Sequence, residues 1–207
     1  MGIKNDAVGN EYIPTQYTGK QLDVVEKIEL PSEVVAMSFF KLVKRRFLCV
    51  NQWGEIAQLP MSTFKLTDNS GDEISRLASK GDYIKIDIPG PGSSAGNGYD
   101  WVYIEELVEK GGEEAELVVM RVRPASNPQN QQSDVAHFLE DTATSTFQIK
   151  RIGNTVYAEE HARNENANTN TDQFVDNVRN AVIGLGAKLG LSYPQWKSLV
   201  NGLLRRD

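Results

Sequence analysis

The sequence predicts an α+β domain: a curved antiparallel sheet of about six or seven strands packed around a long helix near the C-terminus, with one extra helix after it. Three observations predict it. Short runs of alternating apolar residues between positions 61 and 163 are joined by tight-turn signals, and hairpin connections make neighbouring strands antiparallel. Val175, Val178, Val182, Leu185 and Leu189 recur at spacings of three and four, the signature of a single apolar stripe on a helix. The composition, 40% hydrophobic and 24% charged, is that of a globular chain able to bury a core.

Taken in order, residues 1–21 are polar and carry Gly2, Gly9 and Pro14, as expected of a loose arm. Leu22–Leu30 reads as a strand. Pro31-Ser32-Glu33 stops it and opens a helix, with Ser32 as N-cap and Glu33 at the positive end of the helix dipole. Val35, Phe39, Leu42 and Val43 form its apolar repeat, which runs to about Ile56 with a break near Val50-Asn51, and Trp53-Gly54 marks its end. Phe64–Thr67 is a short strand closed by Asp68-Asn69-Ser70-Gly71, whereas Glu73–Ser79 fits no single template. Tyr83–Ile88 alternates cleanly, with Ile84, Ile86 and Ile88 on one face. Trp101–Val108 and Glu116–Arg123 flank the turn signal Gly111-Gly112, and Thr142–Arg151 and Thr155–Arg163 flank Gly153-Asn154. Val135–Leu139 is open between helix and strand. A helix is predicted from Thr171 to Leu189, ended by Gly190. Ser192-Tyr193-Pro194-Gln195 is a capping box that starts a last helix carrying Trp196, Leu199, Val200, Leu203 and Leu204. The expected organisation is an arm over 1–21, the α+β domain over 22–190 and a helical extension over 191–207.

The bulk numbers narrow the function. With 22 Lys+Arg against 28 Asp+Glu, 22 − 28 gives a net charge of −6, which disfavours nucleic-acid backbones. The dense basic cluster Lys41, Lys44, Arg45, Arg46 reads as the solvated face of an amphipathic helix, so no nucleic-acid partner is expected. Cys49 is the single cysteine, excluding an internal disulfide and a cysteine-based zinc site, and its apolar neighbours suggest a small buried hydrophobe. No apolar run spans a membrane, and the N-terminus lacks the apolar core of a secretion signal, so the expected location is cytoplasmic.

The order strand, helices, antiparallel strands, long helix, together with the opening Val24-Val25-Glu26-Lys27-Ile28-Glu29-Leu30-Pro31-Ser32-Glu33-Val34-Val35 and the tryptophan Trp53 after the first helices, resembles the START/Bet v 1-like (SRPBCC, helix-grip) superfamily over roughly Leu22–Leu189. The resemblance implies a sheet gripping the C-terminal helix and a cavity between them that binds an apolar or amphipathic small molecule. On that reading the cavity is lined by Ile84, Ile86, Trp101, Tyr103, Val119, Phe147 and Tyr157 from the sheet and by Val182 and Leu185 from the helix, where Gly184 and Gly186 leave room for a ligand. Some relatives implied by the resemblance are cyclases, dehydratases or aromatases, which here would need His161, Glu159 or Tyr157 to point inward. A third reading is an interaction module, possible through homodimerisation or partner docking on the last helix.

Other constellations carry less. The loop Gly90–Gly98 holds four glycines but runs into a strand and lacks Gly-Lys-Ser/Thr, so it reads as a connection rather than a phosphate cradle. Tyr157, Glu159 and His161 share one strand face and default to a polar strip. The pairs Glu105-Glu106, Glu113-Glu114 and Glu159-Glu160 read as solvated charges, because neighbours in a strand point to opposite faces. No catalytic residue, metal site or cofactor is assigned from sequence.

Overall fold

Alternation along the strands and the breaks between them settle into a seven-stranded, fully antiparallel curved sheet in the computed structural model. The structure describes residues 8–58, 62–88, 95–130, 134–168 and 193–206. The strands are β1 (Lys20–Glu29), β2 (Thr63–Thr67), β3 (Tyr83–Asp87), β4 (Asp100–Gly111), β5 (Ala115–Pro124), β6 (Thr144–Ile152) and β7 (Thr155–Glu165). Their spatial order is β1-β7-β6-β5-β4-β3-β2, so β2 to β7 form a meander and β1 closes against its far edge. The segment Glu73–Ser79 forms no strand beyond an isolated bridge from Glu73 to Thr67, and Val135–Leu139 contributes only the bridge from Leu139 to Ala167.

Helix α1 (Glu33–Leu48) begins where the capping residues place it, with Ser32 Oγ accepting from the Val35 backbone N–H at 3.4 Å. It breaks at Cys49, continues as a 3-10 turn over Val50–Gln52 and ends in α2 (Trp53–Ala57), so Trp53 opens the second piece rather than closing the stretch. The buried stripe of α1 is Ala36, Phe40, Val43 and Phe47, while Val35 and Leu42 face solvent. The helix is apolar around much of its circumference, so two stripes compete; packing across β6 and β7 selects one. Cys49 is a half-buried free thiol at the end of α1.

The predicted helix Thr171–Leu189, with Val182, Leu185, Gly184 and Gly186, lies outside the described residues. The last helix, α3, is described over residues 193–203. Leu199, Val200, Leu203 and Leu204 are buried in the same core as Phe40, Val43, Phe64 and Phe147. The apolar face considered for docking is therefore spent on the domain itself. Gly202 permits the approach, because a Cβ there would overlap the backbone carbonyl of Ile56. Arg46 reinforces the seam, donating to the Leu203 carbonyl at 3.3 Å and to the Arg205 carbonyl at 2.5 Å.

Residues 8–19, just before β1, are tied to the sheet by hydrogen bonds. Gln148 donates to the Gly9 carbonyl (2.8 Å), Arg121 to the Tyr12 carbonyl (3.0 Å), and Asn164 Oδ1 accepts from the Tyr17 backbone N–H (2.8 Å). Because α3 supplies core rather than decoration, Leu203→Ala is expected to lower unfolding free energy by about 2–5 kcal/mol in urea titrations. A loss below about 0.5 kcal/mol would contradict this placement.

Candidate functional site

The inner face of the sheet carries Ile84 and Ile86 (β3), Val102 and Ile104 (β4), Val118, Met120 and Val122 (β5), Phe147 and Ile149 (β6) and Val156 and Ala158 (β7). Against this face stand four aromatic side chains from four separate elements: Trp53 (α2), Phe64 (β2), Phe147 (β6) and Trp196 (α3). Their centroids form a closed ring: Trp53 to Phe64 5.7 Å, Phe64 to Trp196 6.1 Å, Trp196 to Phe147 5.1 Å and Phe147 to Trp53 5.2 Å. The Trp53 indole N–H donates to the Phe47 carbonyl at 2.9 Å, which fixes the orientation of its ring.

Beside the ring lies a cavity of about 60 Å³. Its wall is mostly apolar, and its polar members His137, Thr144, Ser145 and Glu165 come from one end of the sheet, where β6 starts and β7 finishes. Gln195 also lines it and accepts from the Ser62 hydroxyl at 2.9 Å. His137 Nδ1 accepts from the Leu139 backbone N–H at 3.0 Å, which places any single ring proton on Nε2. The Thr144 hydroxyl is buried without a hydrogen-bond partner.

Of the residues expected to line a cavity, Ile84, Ile86 and Phe147 do so. Trp101, Tyr103, Val119 and Tyr157 sit on the opposite face. Val102 occupies the inward position next to Trp101, whose indole donates to the Gly96 carbonyl at 3.3 Å. Tyr103 meets the Tyr83 ring at a tilt with centroids 5.1 Å apart, Val119 pairs with Gln148, and Tyr157 lies under the ammonium groups of Lys27 and Lys150. The choice between the two faces is one residue of register, which strand periodicity leaves free.

The polar strip Tyr157, Glu159, His161 is also on the outer face, where it is a buried charge network. Lys150 meets Glu159 at 2.8 Å, His161 lies 3.1 Å from Glu159 and 2.6 Å from Asp23, and Arg163 meets Asp23 at 2.7 Å. Burial pushes the Glu159 carboxyl up, but the hydrogen bonds from His161 and Lys150 outweigh it and hold the group below its ordinary value. Asp23 is lowered in the same way, burial opposing and His161 and Arg163 prevailing. These two carboxylates contribute stability that is present above their unfolded values and lost as pH falls through their folded ones.

Glu160, expected with Glu159 to be a solvated charge, is buried instead. It pairs in register with Phe147 of β6 and Val24 of β1, both core residues, so it projects to the inner face. It is fully buried, and among the described residues no lysine, arginine or histidine pairs with its carboxyl. Burial raises its carboxyl well above the ordinary value; the charges of Glu165 and Asp23 add to this, and the Ser145 hydroxyl and Arg163 oppose it. Asn164 adopts a left-handed backbone (φ 58°) that interrupts the alternation, and Glu165 beyond it lines the cavity. Burial raises the Glu165 carboxyl too, against the pull of Lys20. A sequence signal existed: the alternation Val156, Ala158, Glu160 places a carboxylate in line with small apolar residues.

No protein-family model and no curated protein matches this chain. Among solved structures it is similar to a hypothetical protein from Helicobacter pylori (10% identity, 89% of this chain and 88% of that one, TM-score 0.49). It is also similar to a major latex-like protein from Panax ginseng (9% identity, 84% and 98%, TM-score 0.32) and to a truncated norcoclaurine synthase from Thalictrum flavum (9% identity, 89% and 96%, TM-score 0.33). Likenesses at these values assign no chemistry, and the site stands on its own residues.

An unpaired buried carboxyl is costly. Unfolded, Glu160 ionises near its ordinary value; folded, it keeps its proton, so its contribution to stability falls as pH rises between the two. Glu160→Gln is therefore expected to raise the urea midpoint, by more at pH 8 than at pH 5. The pH dependence from Asp23 and Glu159 is common to both proteins and cancels in the difference. A gain that shrinks with rising pH would contradict a buried neutral Glu160.

Proposed function

We propose that this protein binds a small apolar or amphipathic molecule in the cavity on the inner face of its sheet. The observation that carries this reading is an apolar void beside a closed ring of four aromatics, with its polar groups gathered at one end. Interiors pack to near-crystalline density, so an apolar void with a few convergent polar groups is the usual form of a small-molecule site. The void of about 60 Å³ suits a ligand of a few heavy atoms, and anything larger must displace side chains such as Phe138 or Trp196.

An enzymatic reading of the same cavity, cyclase- or dehydratase-like, shifts to different residues. His161, Glu159 and Tyr157 belong to the outer face, so among the described lining residues His137 and Glu165 carry acid–base chemistry, with Glu160 buried behind them. Among the described residues no helix is long and apolar enough to cross a membrane, and no cluster of three metal-ligating side chains occurs.

Ala143 lines the cavity and is almost fully buried. Native mass spectrometry of the purified protein, followed by denaturing extraction, is expected to show a released small molecule at near-stoichiometric level. Ala143→Leu, which adds three carbons to the void, is expected to abolish that adduct while leaving far-UV circular dichroism unchanged. An adduct retained at full occupancy in the variant would overturn this site.

A further inference from the structure

The lining of the cavity has a charge character that the binding reading does not use. Among the described residues Trp53, Phe64, Phe138, Phe147 and Trp196 face it, and aromatic faces attract cations. Among the described lining residues Glu165 supplies a carboxyl, and there is no lysine or arginine. Glu160 is not itself a lining residue; it lies behind the wall at the same end, where its cross-strand neighbour Phe147 and its near neighbours Ser145 and Glu165 line the cavity.

The charged groups around Glu160 are accounted for. From β1, Asp23 is engaged by His161 (2.6 Å) and Arg163 (2.7 Å). Arg163 itself donates further to the carbonyls of Leu22 (3.2 Å) and Ala162 (2.7 Å). From β6, Ser145 offers a hydroxyl, and along β7 Glu165 offers a second carboxyl whose own cation neighbour is Lys20. Among the described residues no cation pairs with Glu160, although the group is fully buried. A carboxyl held in this way, at the edge of an aromatic cavity and next to another carboxyl, has the complement of an organic cation.

Resting on the binding reading, we propose that the cavity takes a small aliphatic amine, its ammonium group held by Glu160 and Glu165 and its apolar body against the ring of Trp53, Phe64, Phe147 and Trp196. Binding supplies the partner that Glu160 lacks. The carboxylic acid gives its proton to solvent and becomes a carboxylate paired with the ammonium, so one proton is released for each amine bound by this route. An alcohol of the same shape gains only a neutral hydrogen bond, and a carboxylate of the same shape meets the charge of Glu165.

The test uses the full-length protein and three probes that share one branched four-carbon body: isobutylamine, isobutanol and isobutyrate. The indole N–H resonances report the site, since Trp53 and Trp196 line the cavity and Trp101 faces away from it. At pH 7 isobutylamine is expected to shift Trp53 and Trp196 but not Trp101, at least tenfold more tightly than isobutanol, with isobutyrate inert. Glu160→Gln is expected to remove the preference for the amine while retaining the alcohol, and calorimetry in two buffers of different ionisation heat should report proton release in the wild type only. Glu165→Gln, a partly exposed position, is a second variant expected to reduce the same preference. Equal affinity for amine and alcohol, or an unchanged preference in both variants, overturns the amine proposal and leaves the cavity reading standing. No shift at Trp53 and Trp196 with any probe overturns the cavity reading, and the amine proposal with it.

Discussion

The ring of Trp53, Phe64, Phe147 and Trp196 joins four separate parts of the chain in one contact cluster. Trp53 comes from the short helix after α1, Phe64 from an edge strand, Phe147 from the middle of the sheet and Trp196 from the last helix. Each contact adds about 0.5–1.5 kcal/mol beyond the area it buries. More consequential is the geometry: flat, rigid side chains meeting edge to face, as at Trp53–Phe64 and Phe147–Trp196, leave gaps that branched aliphatics would fill. The same ring that fastens α3 to the sheet thereby frames the cavity.

Strand β7 separates the two faces of the molecule residue by residue. Glu159 and Glu160 are adjacent and both largely buried, yet their carboxyls are driven in opposite directions. Glu159 turns outward, where Lys150 and His161 supply donors. Glu160 turns inward, where the Ser145 hydroxyl is its neighbour and no cation of the described residues pairs with it. Desolvation acts on both; the difference is the company each keeps. A fold gains nothing from an unpaired acid in its interior, so its presence at the edge of a cavity is a cost borne for something other than stability.

Much of this architecture was legible before any coordinates. The order of strands, the hairpins at Gly111-Gly112 and Gly153-Asn154, the cap at Ser32 and the break after α1 follow from local chemistry: turn residues with permissive dihedrals, side chains that satisfy helix ends, and periodicities of 2 and 3.6. Ile84, Ile86 and Phe147 were legible as buried strand residues, because large apolar side chains at alternating positions are buried on one side, but which side is the inner one was not. Trp101, Tyr103, Val119 and Tyr157 were legible as sheet residues but not as outward ones, since each strand's alternation allows either face and the outer one is also covered in part, by residues 8–19.

By itself, then, the sequence determined the element order, the antiparallel pairing and the α+β class, because each depends on neighbours within a few positions along the chain. Only the tertiary structure decided which face of each strand is the inside, which of two apolar stripes α1 buries, and that the last helix is core. It also decided that Glu160 lacks the partners that Glu159 has. These are outcomes of contacts between residues far apart in sequence, such as Phe147 with Trp196 or Asp23 with His161. A side chain's environment is set by what the rest of the chain packs around it, and no local pattern encodes that.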